Sequence, residues 1–139
     1  MSFEIIADEV RDLFRVEFAL LQPGLLILWA NQSKASVLPT PTESWVRFSI
    51  RERRSRLTSL GNPGGRLMER PGFAVVEIYV PLGDGERGLR RIGDSVAGAL
   101  QLKATTNVQF EETRLIIVGG EGQHYKGIAL TDFTGNDFA

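Results

Sequence analysis

The sequence predicts an α+β fold, an antiparallel or mixed sheet with two helices packed on one face. Three observations carry this. Two segments place apolar residues three and four positions apart, the period of a helix, while several shorter ones alternate or are rich in β-branched residues. The order along the chain is helix, strands, helix, strands. Crossovers are too few for a doubly wound sheet. The length of 139 residues suits one domain, 1–139, and 42% apolar content suffices for a core.

Phe3–Leu21 reads as an amphipathic helix with Ile6, Val10, Leu13, Phe14 and Leu21 near one face and Asp8, Arg11, Asp12 and Arg15 away from it. Ser2 is a candidate cap, and Pro23-Gly24 stops the helix. The apolar run Leu25–Trp29 predicts a buried strand. Ser33–Ser44 is polar, holds Pro39 and Pro41, and reads as a long loop. Trp45–Arg51 alternates, with Val46, Phe48 and Ile50 opposite Trp45, Arg47, Ser49 and Arg51. Arg54–Leu60 reads as a further strand and Gly61–Gly65 as a turn.

Phe73–Val80 is the clearest strand, bounded by Pro71-Gly72 and Pro81. Asp84-Gly85-Glu86 then opens a second helix reaching about Leu102, with Leu89, Ile92, Val96 and Leu100 on its apolar face. Gly93, Ala97, Gly98 and Ala99 make that helix thin enough to lie close on a sheet. Asn107–Glu111, Leu115–Val118 and Tyr125–Phe133 are late strands, with Gly119-Gly120-Glu121-Gly122 as a hairpin turn.

Composition narrows function. Net charge is −1, so no global field argues for nucleic acid or membrane. Without cysteine there is no disulfide, thiolate nucleophile or cysteine metal site. Met1-Ser2-Phe3-Glu4 lacks the basic start of a signal peptide, and no apolar run approaches the roughly 20 residues of a membrane span. The expectation is a non-enzyme with no cofactor and no bound metal. His124 is the only histidine and reads as a surface residue at a hairpin edge. Glu111-Glu112 reads as a solvated strand end, because adjacent strand residues point to opposite faces. Gly61–Gly65 lacks the Gly-Lys-Ser/Thr ending of a phosphate loop, and Asp84 would repel an anion at Gly83-Asp84-Gly85.

What remains are contact candidates. Arg51, Arg53, Arg54 and Arg56 form the one charge cluster, read either as a solvated hairpin or as a contact for DNA or an acidic protein ring. Arg87, Arg90 and Arg91 occupy the first half of a helix, where the dipole disfavours cations by a few tenths of a kcal/mol. Asp94 would offset one, or a neighbouring subunit would supply carboxylates. Leu67 and Met68 are apolar residues in a polar loop, either folded back on the core or anchored in a partner. Trp45 is either a covered rim residue or an interface residue.

The order of these features resembles a known family. A helix is followed by an apolar strand ending in Trp29-Ala30-Asn31, a proline-containing loop, Trp45-Val46-Arg47, Gly61 and Arg70-Pro71-Gly72. A strand then reaches Pro81-Leu82-Gly83-Asp84-Gly85, with Asp94 in the next helix and a closing strand around Leu130–Phe133. This is similar to the tail-terminator or tail-completion proteins of long-tailed bacteriophages and prophages, of the lambda-like design. The resemblance implies a structural protein of the virion tail, assembled in the host cytoplasm. Such proteins form a homo-oligomeric ring, commonly a hexamer, on the tail-tube protein. They stop its polymerisation and present a joining surface to the head connector protein, with DNA passing through the ring and no membrane involved. Sheet edges, such as the strand after Leu115 or Arg51–Arg56, are candidates for pairing between subunits. A head–tail connector or neck protein is the nearest alternative. A small hydrolase using acids around Asp84–Asp94 and a nucleic-acid-binding module using Arg51–Arg56 are others.

Overall fold

The computed structural model describes residues 3–29, 43–53, 56–57, 67–122 and 124–138. Ser2, Ala30, Asn31, residues 33–42 of the expected loop, Arg54 and the Gly61–Gly65 turn lie outside them. The elements are α1 (Phe3–Leu21), β1 (Leu26–Trp29), β2 (Trp45–Glu52), β3 (Arg56–Leu57), β4 (Leu67–Pro81), α2 (Gly85–Leu100), β5 (Val108–Glu121) and β6 (His124–Phe138). The strands form one mixed sheet in the order β1-β2-β4-β6-β5, with β3 pairing β4. Only β1–β2 is parallel. Both helices pack on one face, so the α+β expectation holds.

The α1 stripe is tighter than its sequence suggested. Ile6, Val10, Phe14 and Phe18 are buried at four-residue spacing, while Leu21 is half exposed. Phe14 stacks on Phe18 at 4.7 Å and on Phe48 of β2 at 4.6 Å between ring centroids. Leu21 instead lies over α2: a Cβ placed at Gly98 would stand 3.0 Å from Leu21 Cδ1. Gly98 therefore thins α2 toward α1, not toward the sheet. Gly93 serves the sheet, its Cβ position lying 3.2 Å from Leu115 Cδ2. At the end of α1, Gly24 takes φ +82°, which glycine adopts without strain.

β1 is an edge strand in which only Leu28 is buried, not the buried strand expected from its apolar run. Trp29 is partly buried and packs edge-on against Phe14 and Phe48, at 6.3 and 5.4 Å. β4 begins at Leu67, six residues before the expected start at Phe73. Leu67 and Met68 therefore open a strand and do not sit in a loop. β4 and β6 pair along all 15 residues, from Leu67↔Phe138 to Pro81↔His124. Pro71 fits because it falls between the ladder to β3, ending at Glu69, and the ladder to β2, starting at Gly72. Its carbonyl still accepts the Arg53 N–H at 2.8 Å.

The late strands are two, not three. Asn107–Glu111 and Leu115–Val118 join into β5 through a register shift between Phe110 and Thr113, with Glu111 and Glu112 exposed in it. A second shift lies between Ile117 and Gly119, and Gly119 takes φ +119°. Gly120 and Glu121 still pair with Tyr125 and His124, so the reversal begins only at Gly122, φ +62°. Such bulges bend a strand and increase its twist.

α1 is pinned to the segment before β5. The Glu9 carboxylate accepts hydrogen bonds from the Thr105 hydroxyl (2.6 Å), the Asn107 backbone N–H (2.9 Å) and Asn107 Nδ2 (2.6 Å). Lys103 pairs with Glu17 at 3.3 Å close by. In the sheet, the buried Thr131 hydroxyl meets that of Thr113 at 2.7 Å, satisfying both.

Candidate interface on the open sheet face

Alternation sends Val46, Phe48, Ala74, Val76, Ile78, Val80, Ala129 and Phe133 under the helices, where all are buried. The intervening residues face the other way, most of them partly exposed, with Leu28 of β1 buried beside Arg47; no described helix packs on them. This second face is the candidate functional surface. The register builds it in rows: Trp45–Tyr79–Lys126, Arg47–Glu77–Ile128–Ile116, Ser49–Val75–Leu130–Arg114 and Arg51–Phe73–Asp132.

The first row is an aromatic corner. Trp45 and Tyr79 stack at 4.1 Å with planes 9° apart. His124 stands edge-on to both, at 6.2 and 6.3 Å. His124 Nε2 is 3.1 Å from the Glu43 carbonyl, which can only accept, so that nitrogen carries the proton. Lys126 Nζ lies 5.3 Å over the Tyr79 ring and 3.6 Å from Glu77 Oε1. Trp45 Nε1 is buried with no hydrogen-bond partner among the described residues. His124 is thus built into a ring cluster rather than lying loose at the surface.

The opposite corner is ionic. Asp132 Oδ1 lies 3.7 Å from Arg53 Nη2 and 3.6 Å from Arg114 Nη2, while Arg53 also covers the Phe73 ring at 5.3 Å. Both arginines are more than half exposed, so these pairs position side chains more than they stabilise the fold. Between the corners runs an apolar band of Val75, Leu130, Ile128 and Ile116, the last 48% exposed. The arrangement can match another surface by shape, apolar contact and a few fixed charges.

The basic cluster is split. Arg51 and Arg53 are exposed at the end of β2, Arg56 lies in β3 opposite Glu69, and Arg54 is outside the described residues. Arg87, Arg90 and Arg91 are exposed on α2, remote from the sheet face. Arg90 pairs with Glu86 at 3.7 Å, rather than with Asp94. Leu67 and Met68 lie at the start of β4, opposite Phe138 and Asp137. The residues that sequence reasoning missed are Tyr79, Phe73, Arg114, Ile116, Ile128 and Asp132. The odd-numbered positions of Phe73–Val80 carried the signal for two of them. A groove of about 490 Å³ opens between α1 and the end of β2, walled by Arg11, Trp29, Ile50 and Glu52. Among the described residues, no group of three or more His, Asp or Glu is placed to hold a metal ion. No described helix is long and apolar enough to cross a membrane.

No family model and no curated protein matches the chain. Five solved chains do match. One of them is 12% identical with a TM-score of 0.60, covering 93% of this chain and 97% of that one. At that identity the likeness speaks for the fold alone, and the description of that chain states no function.

Proposed function

We propose that this chain is a structural tail terminator of a long-tailed phage or prophage. It closes into a ring on the end of the tail tube, halts polymerisation and presents the surface that joins the head. The observation that carries this reading is the second sheet face, where a stacked Trp45–Tyr79 pair, the apolar residues Val75, Leu130, Ile128 and Ile116, and the exposed arginines Arg53 and Arg114 stand partly exposed with no described helix over them. Such a surface suits contact with another subunit.

The mechanism follows from symmetry. A tube grows because each ring exposes a face that accepts the next. A terminator matches that face on one side and lacks the copying surface on the other. Within the ring the contacts join unlike patches and must close. A nucleic-acid module is the weaker reading, since Asp132 sits between Arg53 and Arg114, where a phosphate would have to approach. A neck protein belongs to the same class.

Electron microscopy of particles made without this chain tests the proposal. Tubes of uncontrolled length are expected. Tails of normal length lacking heads would transfer the role to a neck protein, and normal virions would end both readings.

A further inference from the structure

We infer that the open sheet face seats one amphipathic helix of another protein, with an apolar stripe and acidic residues along both of its sides. The inference rests on the reading of this face as a contact surface and names what covers it.

The apolar residues of the face form a staircase. Phe73 and Val75 stand two positions apart on β4, Leu130 lies beside Val75 on β6, Ile128 follows two positions on, and Ile116 lies beside Ile128 on β5. The path moves four residues along the strands and two strands across, about 16 Å at ordinary strand spacings. That is close to the length of three turns of α-helix. Phe73, Val75, Leu130 and Ile128 are half-buried, and Ile116 is 48% exposed. Ile116 belongs to β5, which ends the sheet opposite β1. The most open part of the staircase is therefore remote from the residues that follow β1.

Width decides the kind of occupant. The staircase is one or two side chains wide, and both of its flanks are charged. Arg47, Arg51, Glu77 and Lys126 lie on one flank. Arg53, Asp132 and Arg114 gather on the other. A second sheet laid here would bury both flanks, and charges taken from water without full pairing are costly. A helix presents an apolar stripe roughly 100° wide and leaves its neighbouring side chains at the rim.

Charge decides what the helix carries. Five of the chain's 16 lysines and arginines lie on this face, against two of its 17 acids. Both flanks share the excess. Glu77 is taken by Lys126, and Asp132 by Arg53 and Arg114. Arg47 and Arg51 have no ion pair among the described residues, although Glu77 is the register partner of Arg47. Carboxylates beside the helix stripe complete these pairs and steer the encounter.

The test uses the full chain and two stapled helical peptides of about 18 residues, each with one leucine stripe. One peptide carries glutamates on both sides of the stripe and the other lysines. Fluorescence anisotropy should show the glutamate peptide binding at least tenfold tighter, with the difference shrinking as salt rises. Amide shifts on binding should concentrate at Val75, Ile116, Ile128 and Leu130. Ile116→Asp and Arg51→Glu each change an exposed residue, so the thermal unfolding midpoint should stay near wild type while affinity falls tenfold or more. Equal affinity for the two peptides, tighter binding of the lysine peptide, shifts centred on the helices, or no binding of either overturns the inference. Sedimentation of the chain alone tests the rival occupant. An oligomer that survives Ile116→Asp supports a face left open for another protein. One that dissociates assigns the face to a second copy and overturns the helix. Tails made without the chain judge the terminator reading separately. Tubes of uncontrolled length with no peptide binding would keep that reading and end this inference, and normal virions with peptide binding would do the reverse.

Discussion

Glu9 and Asn107 hold each other twice: one carboxylate oxygen takes the Asn107 backbone N–H at 2.9 Å and the other takes its side-chain Nδ2 at 2.6 Å. The pair lies 98 residues apart in sequence and ties α1 to the start of β5. Glu9→Gln keeps the shape but replaces one acceptor oxygen with a donor. A loss of about 1–3 kcal/mol is expected in urea unfolding. An unchanged midpoint would remove Glu9 from the list of stabilising contacts.

The same residue sets a pH dependence. Burial pushes the Glu9 carboxyl up, but the hydrogen bonds from Thr105 and Asn107 outweigh it and hold the group below its ordinary value of 4.5. A carboxyl depressed in the folded state stabilises fully above its unfolded value, and that stability is lost as pH falls through the folded one. Wild type should therefore lose stability over Glu9→Gln as pH drops below 4.5. Parallel curves for the two proteins across that window would contradict this.

Gly72→Ala tests a close approach inside the sheet. A Cβ at this position would lie 2.6 Å from the Arg51 carbonyl oxygen and 2.8 Å from Phe133 Cζ. The first contact is backbone and the second a buried ring, so neither yields easily. A destabilisation of roughly 1–3 kcal/mol is expected by chemical denaturation.

Phe14→Ala removes the ring that lies between Phe18 and Phe48. The cost should be about 3–5 kcal/mol, enough to threaten folding of a domain this size. A cost below about 1 kcal/mol would mean that α1 is not fastened to β2 through this stack.

Arg90→Glu probes the exposed face of α2. It pairs at 3.7 Å with Glu86, and both side chains are more than half exposed, so unfolding should move by less than about 0.5 kcal/mol. If the helix arginines meet a neighbouring subunit, ring mass measured by light scattering should fall. Constant mass would take α2 out of the interface.

The two helices were legible because their apolar residues keep one spacing, and the alternation of β2 gave its two faces. Phe18 was missed because the expected stripe followed Leu13 and Leu21, whereas the sheet accepts a strict four-residue step from Ile6 to Phe18. The early part of β4 was hidden by Pro71-Gly72, which locally reads as punctuation. Only the gap between two ladders and the crowding at Gly72 explain these residues inside a strand. Gly119-Gly120 reads locally as a turn, yet the first lies at a bulge and the second stays in the ladder. The sheet-face site was the least visible part. Asp132, Arg53 and Arg114 come from three separate strand regions, and register alone brings them together.

The uninterrupted β4–β6 ladder spans 15 residues, about 50 Å at strand rise, and belongs to both the helix-covered core and the opposite surface. It is a stiff spar through the domain. Its central amides should be the last to exchange with deuterium, and a load applied at the Leu67–Phe138 end would be carried to Pro81 and His124 with little bending on the way.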